Sequence, residues 1–247
     1  MKKIIRFLID SLFPRECLLC EKELGVYLCQ KCFKSLKFKE QSCLNCGSKN
    51  ENGQFCSNCQ DNFSYQGVMV ATNLNDSKIE KLITNFKYNF VKEIGYYLGL
   101  FLFNFFKEKN ENNPILFKRK KEKKFTKQNS LLIPVPLSSK RLRWRGFNQS
   151  EILAQIISEK EGIKISKNLI KIRESDNQAK LKLSERKTNL NKCFSFLDEK
   201  KAQIEIKGKK IIIVDDISTS GSTLEEISKV IKKYQASEIW GLVLAHG

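Results

Sequence analysis

Two sets of residues have the types and spacing to do chemistry. The first is the acid pair Asp215 and Asp216, which ends the aliphatic run 211–214 and is followed by Ser218, Thr219, Ser220, Gly221, Ser222 and Thr223. Small hydroxyl residues around a glycine, opening a helix pattern, turn backbone N–H groups toward one point, where the helix dipole also favours an anion. Two carboxylates beside such a cradle would repel a bare phosphate. They suit a ligand that also brings hydroxyl donors, so the ligand implied is a phosphorylated ribose.

The second set is eight of the nine cysteines: Cys17 and Cys20, Cys29 and Cys32, Cys43 and Cys46, Cys56 and Cys59, each pair a CxxC. A CxxC turn presents two thiolates on one side of a knuckle, and two knuckles complete a tetrahedron around Zn²⁺. Four pairs within sixty residues point to structural zinc at one or two sites. Sequential grouping is the simplest; a crossed arrangement and the loss of one site stay open. Redox CxxC chemistry uses a single pair in a βαβ setting, which this is not. The same spacing excludes a secreted disulfide scaffold. Cys193 stands apart in a strand-like CFSF and reads as a buried small hydrophobe.

A third stretch, 137–148, holds Lys140, Arg141, Arg143 and Arg145 and no acid, with Trp144 and Phe147 between the cations. Arg matches phosphate bidentately and aromatic faces stack on bases, so the stretch suits single-stranded nucleic acid. The competing expectation is that one of the two rings packs against the following helix. The chain carries a formal +18. Each tetrathiolate zinc site has a net charge of −2, so two sites bring +18 to about +14, still a match for an acidic partner.

These groups need a frame. The run at 211–214 reads as a buried parallel strand and 131–136 as another, closed by its prolines. Helix spacing recurs at Ile79, Leu82, Ile83 and Phe86, continues as a more buried helix over 91–106, and returns over 146–155, where Ile152, Leu153 and Ile156 are expected to face the sheet. Strands are expected within 162–172 and at 238–245. The apolar positions of residues 1–13 fit a short amphipathic helix rather than a signal peptide, and 96–106 is too short to span a bilayer, so a cytoplasmic protein without a transmembrane segment is expected. Residues 107–130 carry nine Lys or Arg against three Glu, with Phe125 among them, and read as a flexible basic arm or a solvated insertion. The expected division is residues 1–62 as N-terminal helix and double zinc ribbon, 63–130 as linking region with the basic insertion, and 131–247 as the main α/β domain.

The acid pair and its loop resemble the signature of the type I phosphoribosyltransferases. In combination, four CxxC pairs, IPVPL, RWRGFNQ, the set Gln178, Leu181, Arg186 and Asn189, and VDD-x-x-T-x-G-x-T resemble the ComF/GntX family over nearly the whole chain. The resemblance implies a type I phosphoribosyltransferase-like parallel sheet flanked by helices, preceded by a small double zinc ribbon. It implies that Asp215 and Asp216 bind the ribose hydroxyls of phosphoribosyl diphosphate (PRPP), with Ser218 to Thr223 on the 5′-phosphate and Pro136, Leu137 and Ser138 toward the diphosphate. Mg²⁺ would accompany PRPP. Residues 175–191 would be a lid whose cation is Arg186, and Lys87 would end a lysine-bearing helix. His246 departs from the family, which more often has Arg near this point. The purine enzymes carry an Asp where this chain has Thr219, so a purine acceptor is disfavoured. The function implied is the handling of single-stranded DNA in natural transformation, with other cytoplasmic DNA-uptake proteins as further partners. The alternative is an active phosphoribosyltransferase with an unidentified acceptor, and a third reading is a PRPP sensor acting on a partner.

Overall fold

The computed structural model describes residues 15–89, 91–111, 124–172 and 193–247. The expected N-terminal helix, residues 112–123 of the basic insertion and the expected lid with Arg186 lie outside the described residues.

Five parallel strands form the main sheet in the order β1-β7-β6-β2-β3: β1 Gly67–Asn73, β2 Ser130–Pro134, β3 Lys164–Ile165, β6 Lys210–Ser218 and β7 Glu238–His246. β4 Leu169–Lys171 and β5 Phe194–Phe196 make a separate antiparallel pair. β6 alternates between two cores: Ile212 and Val214 belong to one apolar cluster, Ile211 and Ile213 to the other. Burial on both faces explains why its sequence is continuously aliphatic rather than alternating. The expected strand at 131–136 ends earlier, at Pro134, although the Val135 N–H still donates to the Val214 carbonyl at 2.9 Å.

α1 Gln30–Lys34 lies in the ribbon; one face of the sheet is covered by α2 Ser77–Lys87, α3 Ile94–Glu111 and α5 Gln149–Glu161, the other by α6 Glu199–Ile206 and α7 Ser222–Lys232. α3 and α5 pack closely because Gly95 and Gly99 of α3 present bare backbone to Ile152 and Ile156; a methyl group at Gly99 would lie 2.7 Å from Ile156 Cγ1. Ile152 and Ile156 therefore face α3 rather than the sheet, while Leu153, as expected, and Ile157 join the apolar cluster of Ile212 and Val214. Among the described residues no helix is long and apolar enough to cross a membrane.

The segment expected to be a linking region supplies β1, the edge strand of the main sheet, together with α2 and α3. An exposed edge invites pairing with other chains. Here the ribbon covers it: Lys39 N–H donates to Ala71 O, the Gln41 side chain bonds both N–H and C=O of Val70, and Val68 N–H donates to Gly53 O. Gly53, at φ +71°, sits so close to β1 that a methyl group would fall 2.0 Å from Val68 O. Phe125, expected in the basic arm, is 1% exposed, and buried Asn110 at the end of α3 bonds both its N–H and its C=O.

Candidate functional site

Asp215 and Asp216 stand at the carboxyl end of β6, where an open parallel sheet places its ligands. Their environments differ. Asp216 Oδ2 is 2.9 Å from Lys87 Nζ, and its Oδ1 accepts from Ile217 N–H. Lys87 is the last residue of α2, as the family resemblance implied. Asp215 Oδ1 accepts from the Ser150 hydroxyl and from Asp216 N–H, each at 2.9 Å. Burial first, and then the Asp216 charge, push the Asp215 carboxyl up to about 7. Ser150 is itself held: Asn148 caps α5 by accepting from Ser150 N–H and anchors back to Val135 O.

The two carboxylates border a cavity of about 720 Å³, within the usual range of small-ligand sites. Pro136, Leu137, Ser138 and Thr223 line it, as do Lys140, Arg141, Trp144 and Arg145. Residues expected to meet PRPP and residues expected to meet DNA thus share one chamber. Arg143 and Phe147 are not among its lining residues, nor are Ser218, Thr219, Ser220, Gly221 and Ser222 of the expected phosphate loop. The stretch 137–148, expected as a loop, contains a short helix, α4 Ser139–Arg145, because the Ser138 side chain accepts from Arg141 N–H and Gly146 ends the turn at φ +74°. The two aromatics part company. Phe147 turns into the core, with its ring centroid 5.4 Å from that of Phe86, while Trp144 is 55% exposed. Arg145 Nη1 donates to Gln149 Oε1, and its guanidinium lies over Tyr88 and Trp144 at 5.5 and 5.8 Å.

The loop after β6 is Thr219 to Gly221, since Ser218 still belongs to the strand. Gly221 is the N-cap of α7 at φ +73° and has no side chain to cap it; the first helical N–H, that of Ser222, donates to Ser220 Oγ at 3.4 Å. Ser220 Oγ donates to Ser222 Oγ at 3.1 Å. The loop is braced from behind. His246 Nε2 is 2.9 Å from Thr219 O, and a methyl group at Gly221 would meet Tyr65 Oη at 2.7 Å and Leu44 Cδ2 at 2.9 Å. Glu225, in the first turn of α7, accepts from Ser64 N–H and Ser64 Oγ. His246, read from sequence as a chain-end residue, thus holds the loop carbonyl.

The cysteines form two groups, Cys17, Cys20, Cys29 and Cys32 in one and Cys43, Cys46, Cys56 and Cys59 in the other, with all sulfurs of a group within 4.8 Å of one another. This is the sequential grouping. Cys20 and Cys29 sulfurs are 3.9 Å apart and those of Cys46 and Cys56 3.6 Å. The edge of a ZnS₄ tetrahedron with 2.3 Å bonds is about 3.8 Å, so both groups fit zinc. The Ser48 hydroxyl and N–H pull the Cys46 thiol down to about 6, toward the thiolate that a metal needs. The first group adjoins the α2/α3/α5 face and the second the α7 face, so the ribbon straddles the edge of the sheet. Cys193 is 4% exposed and belongs to neither.

Sequence reading missed Ser150 and Tyr88. Ser150 meets Asp215 across a separation of 65 residues, and Tyr88 comes from a different helix than Trp144; neither carries a local signal.

Residues 8–60 match the double zinc ribbon domain family and residues 145–246 the phosphoribosyl transferase domain family. Competence protein F of Haemophilus influenzae is 30% identical over 242 residues, covering 95% of this chain and 99% of that protein. Competence protein ComFC of Bacillus subtilis is 28% identical over 238 residues, covering 92% and 93%. DNA utilization protein YhgH of Escherichia coli is 32% identical over 114 residues, covering 45% of this chain and 48% of that protein.

Proposed function

The chain belongs to the family of competence protein F and ComFC, and from that premise we propose that it handles single-stranded DNA on the cytoplasmic side during natural transformation, with a PRPP-binding site at its centre. One observation carries the reading: the carboxylates Asp215 and Asp216 and the basic, aromatic face of α4 border one cavity. Asp215 and Asp216 accept the two ribose hydroxyls, and the N-terminus of α7 takes the 5′-phosphate. Ser138, Lys140 and Arg141 meet the diphosphate. Mg²⁺ brought with PRPP would neutralise diphosphate charge, and Asp215 and Asp216 would be the residues to hold it through its waters. The two ribbons hold structural zinc and cover the sheet edge; they do no chemistry.

Titration separates the parts. PRPP and an oligonucleotide are titrated in turn into wild type, Asp215→Ala/Asp216→Ala and Arg143→Ala/Arg145→Ala. The acid variant is expected to lose PRPP. The arginine variant is expected to lose single strands and to flatten the salt dependence, by about 0.7 in log–log slope for each phosphate contact removed. Unchanged strand binding in the arginine variant defeats the DNA assignment, and unchanged PRPP binding in the acid variant defeats the ribose assignment.

The cavity also favours a second reading, transfer of the phosphoribosyl group with release of diphosphate. Position 219, where a base for a purine acceptor would stand, is Thr, and its carbonyl is engaged by His246. Diphosphate release with any acceptor would establish transfer; its absence across bases, nucleotides and DNA ends, with PRPP still bound, would remove it.

A further inference from the structure

Tyr88 and Trp144 are 54% and 55% exposed, yet their rings lie 6.2 Å apart at a 56° tilt on the wall of the cavity. They come from separate elements: Tyr88 caps the end of α2 and Trp144 sits near the end of α4. The Arg145 guanidinium backs both rings, and about half of each residue still faces solvent after that contact. Two large rings held together in the open suggest a binding surface more than a packing accident.

The charge around them selects the occupant. α4 holds Lys140, Arg141, Arg143 and Arg145 and no acid. A ligand with flat apolar faces and a negative backbone fits rings and cations together, which describes a nucleotide in a single strand. The position adds a constraint. Tyr88 directly follows Lys87, whose ammonium is 2.9 Å from Asp216, so a base on these rings lies against the chamber that the phosphopentose would fill.

We propose that Tyr88, Trp144 and Arg145 form a subsite for one nucleobase within the cavity of Asp215 and Asp216, so that a single strand and PRPP exclude each other there. This deepens the reading given above and rests on it. The subsite makes strand binding tolerant of sequence, because every base has a π face and the platform offers no fixed hydrogen-bond code. It also lets PRPP displace the strand with no change of fold.

The chain supplies its own probe. It has two tryptophans, and Trp240 is 3% exposed beneath the Lys124 ammonium, 3.4 Å from its ring centroid, so quenching by a ligand reports on Trp144. The zinc-loaded full chain is titrated with an oligothymidylate of about 12 nucleotides, a length suited to a single binding face. Quenching in wild type is expected. Trp144→Phe is expected to lose the quench and, because Phe offers a smaller stacking face, to bind the strand more weakly than wild type but more tightly than Trp144→Ala, read by anisotropy of a labelled strand. Tyr88→Ala is expected to keep its melting temperature and lose affinity by about tenfold or more. Saturating PRPP is expected to release the strand and restore Trp144 emission. Wild-type affinity in Tyr88→Ala, or a ternary complex in which PRPP is bound and Trp144 stays quenched, overturns the subsite alone. Failure of wild type to bind the strand overturns the DNA reading along with it. Quenching by an acidic peptide but not by the strand assigns the platform to a protein partner and also overturns the proposal.

Discussion

Lys87 Nζ lies 2.9 Å from Asp216 Oδ2, with the two side chains 12% and 11% exposed, whereas Asp215 is held by the neutral hydroxyl of Ser150. The adjacent carboxylates are therefore unequal. Asp216 has a cation in contact, while Asp215 carries the electrostatic penalty of the pair. The ribose proposed above would use both states of such a carboxyl, since an ionised carboxylate accepts and a protonated one also donates.

Removing the cation alone leaves two like charges nearly out of water. Lys87→Met is expected to lower stability by up to about 3–5 kcal/mol, the upper end for a broken buried pair, with less where the cavity admits water. Lys87→Met/Asp216→Asn removes both charges and is expected to recover much of the loss. Urea unfolding of wild type, single and double variants measures it. If the double variant is no better than Lys87→Met, the lysine acts through packing rather than charge.

Asp215 predicts a pH dependence of definite sign. Its folded carboxyl titrates at about 7 against 3.8 for the ordinary side chain. Between roughly pH 4 and 7 the folded state binds the extra proton, so stability falls as pH rises through that window and levels off above it. Glu226, pushed up to about 7 by burial, slopes the same way. The difference between wild type and Asp215→Asn isolates the Asp215 share. Urea unfolding from pH 4.5 to 8 is expected to show a shallower slope in the variant; parallel slopes place the perturbation elsewhere.

The parts of this arrangement legible in the sequence are those written locally. Ile211 to Val214 announce a strand buried on both faces, the acids mark its end, and the CxxC spacing gives the knuckles. β1 was less legible: residues 63–74 show only a weakly strand-like alternation, because 67–73 are buried at all but the last position and a run covered on both faces has little alternation to show. α4 passed for a loop because it is seven residues long with none buried, so it shows no apolar period. Trp144 and Phe147 look alike in sequence and differ in role, because Gly146 reverses the chain between them. The Ser150 contact to Asp215 and the ring pair of Tyr88 with Trp144 arise only when distant elements meet.

The α3–α5 contact behind the site should be intolerant of a single carbon. At Gly99 a methyl group would sit 2.7 Å from Ile156 Cγ1 and 3.1 Å from its Cβ. Gly99→Ala is expected to cost about 1–3 kcal/mol despite the gain in helix propensity. Ile156→Ala opens space for that methyl group, so a double-mutant cycle is expected to show a favourable coupling of about 0.5–3 kcal/mol. Strict additivity shows that α3 instead shifts to absorb the methyl group.

The second zinc group should tune anion binding although none of its ligands lines the cavity. Leu44 stands inside the Cys43–Cys46 knuckle and abuts Gly221, the αL residue that starts α7, while Tyr65 closes the same point. A knuckle without its metal loses the tetrahedron that fixes Leu44, and the loop then orders itself at ligand expense. Cys46→Ser, at the exposed corner of that group, is expected to retain one zinc per chain, keep the far-ultraviolet dichroism of the sheet and helices, and bind PRPP roughly tenfold more weakly, equal to about 1.4 kcal/mol. Leu44→Ala is expected to keep both metals and show a smaller loss of the same sign. Cys20→Ser, in the ribbon on the opposite face, is the control and should leave PRPP affinity near wild type. Equal weakening in Cys20→Ser and Cys46→Ser would mean that zinc supports the fold as a whole and that the loop has no private brace. Weakening confined to Cys46→Ser and Leu44→Ala places the control of the loop after β6 in the second knuckle.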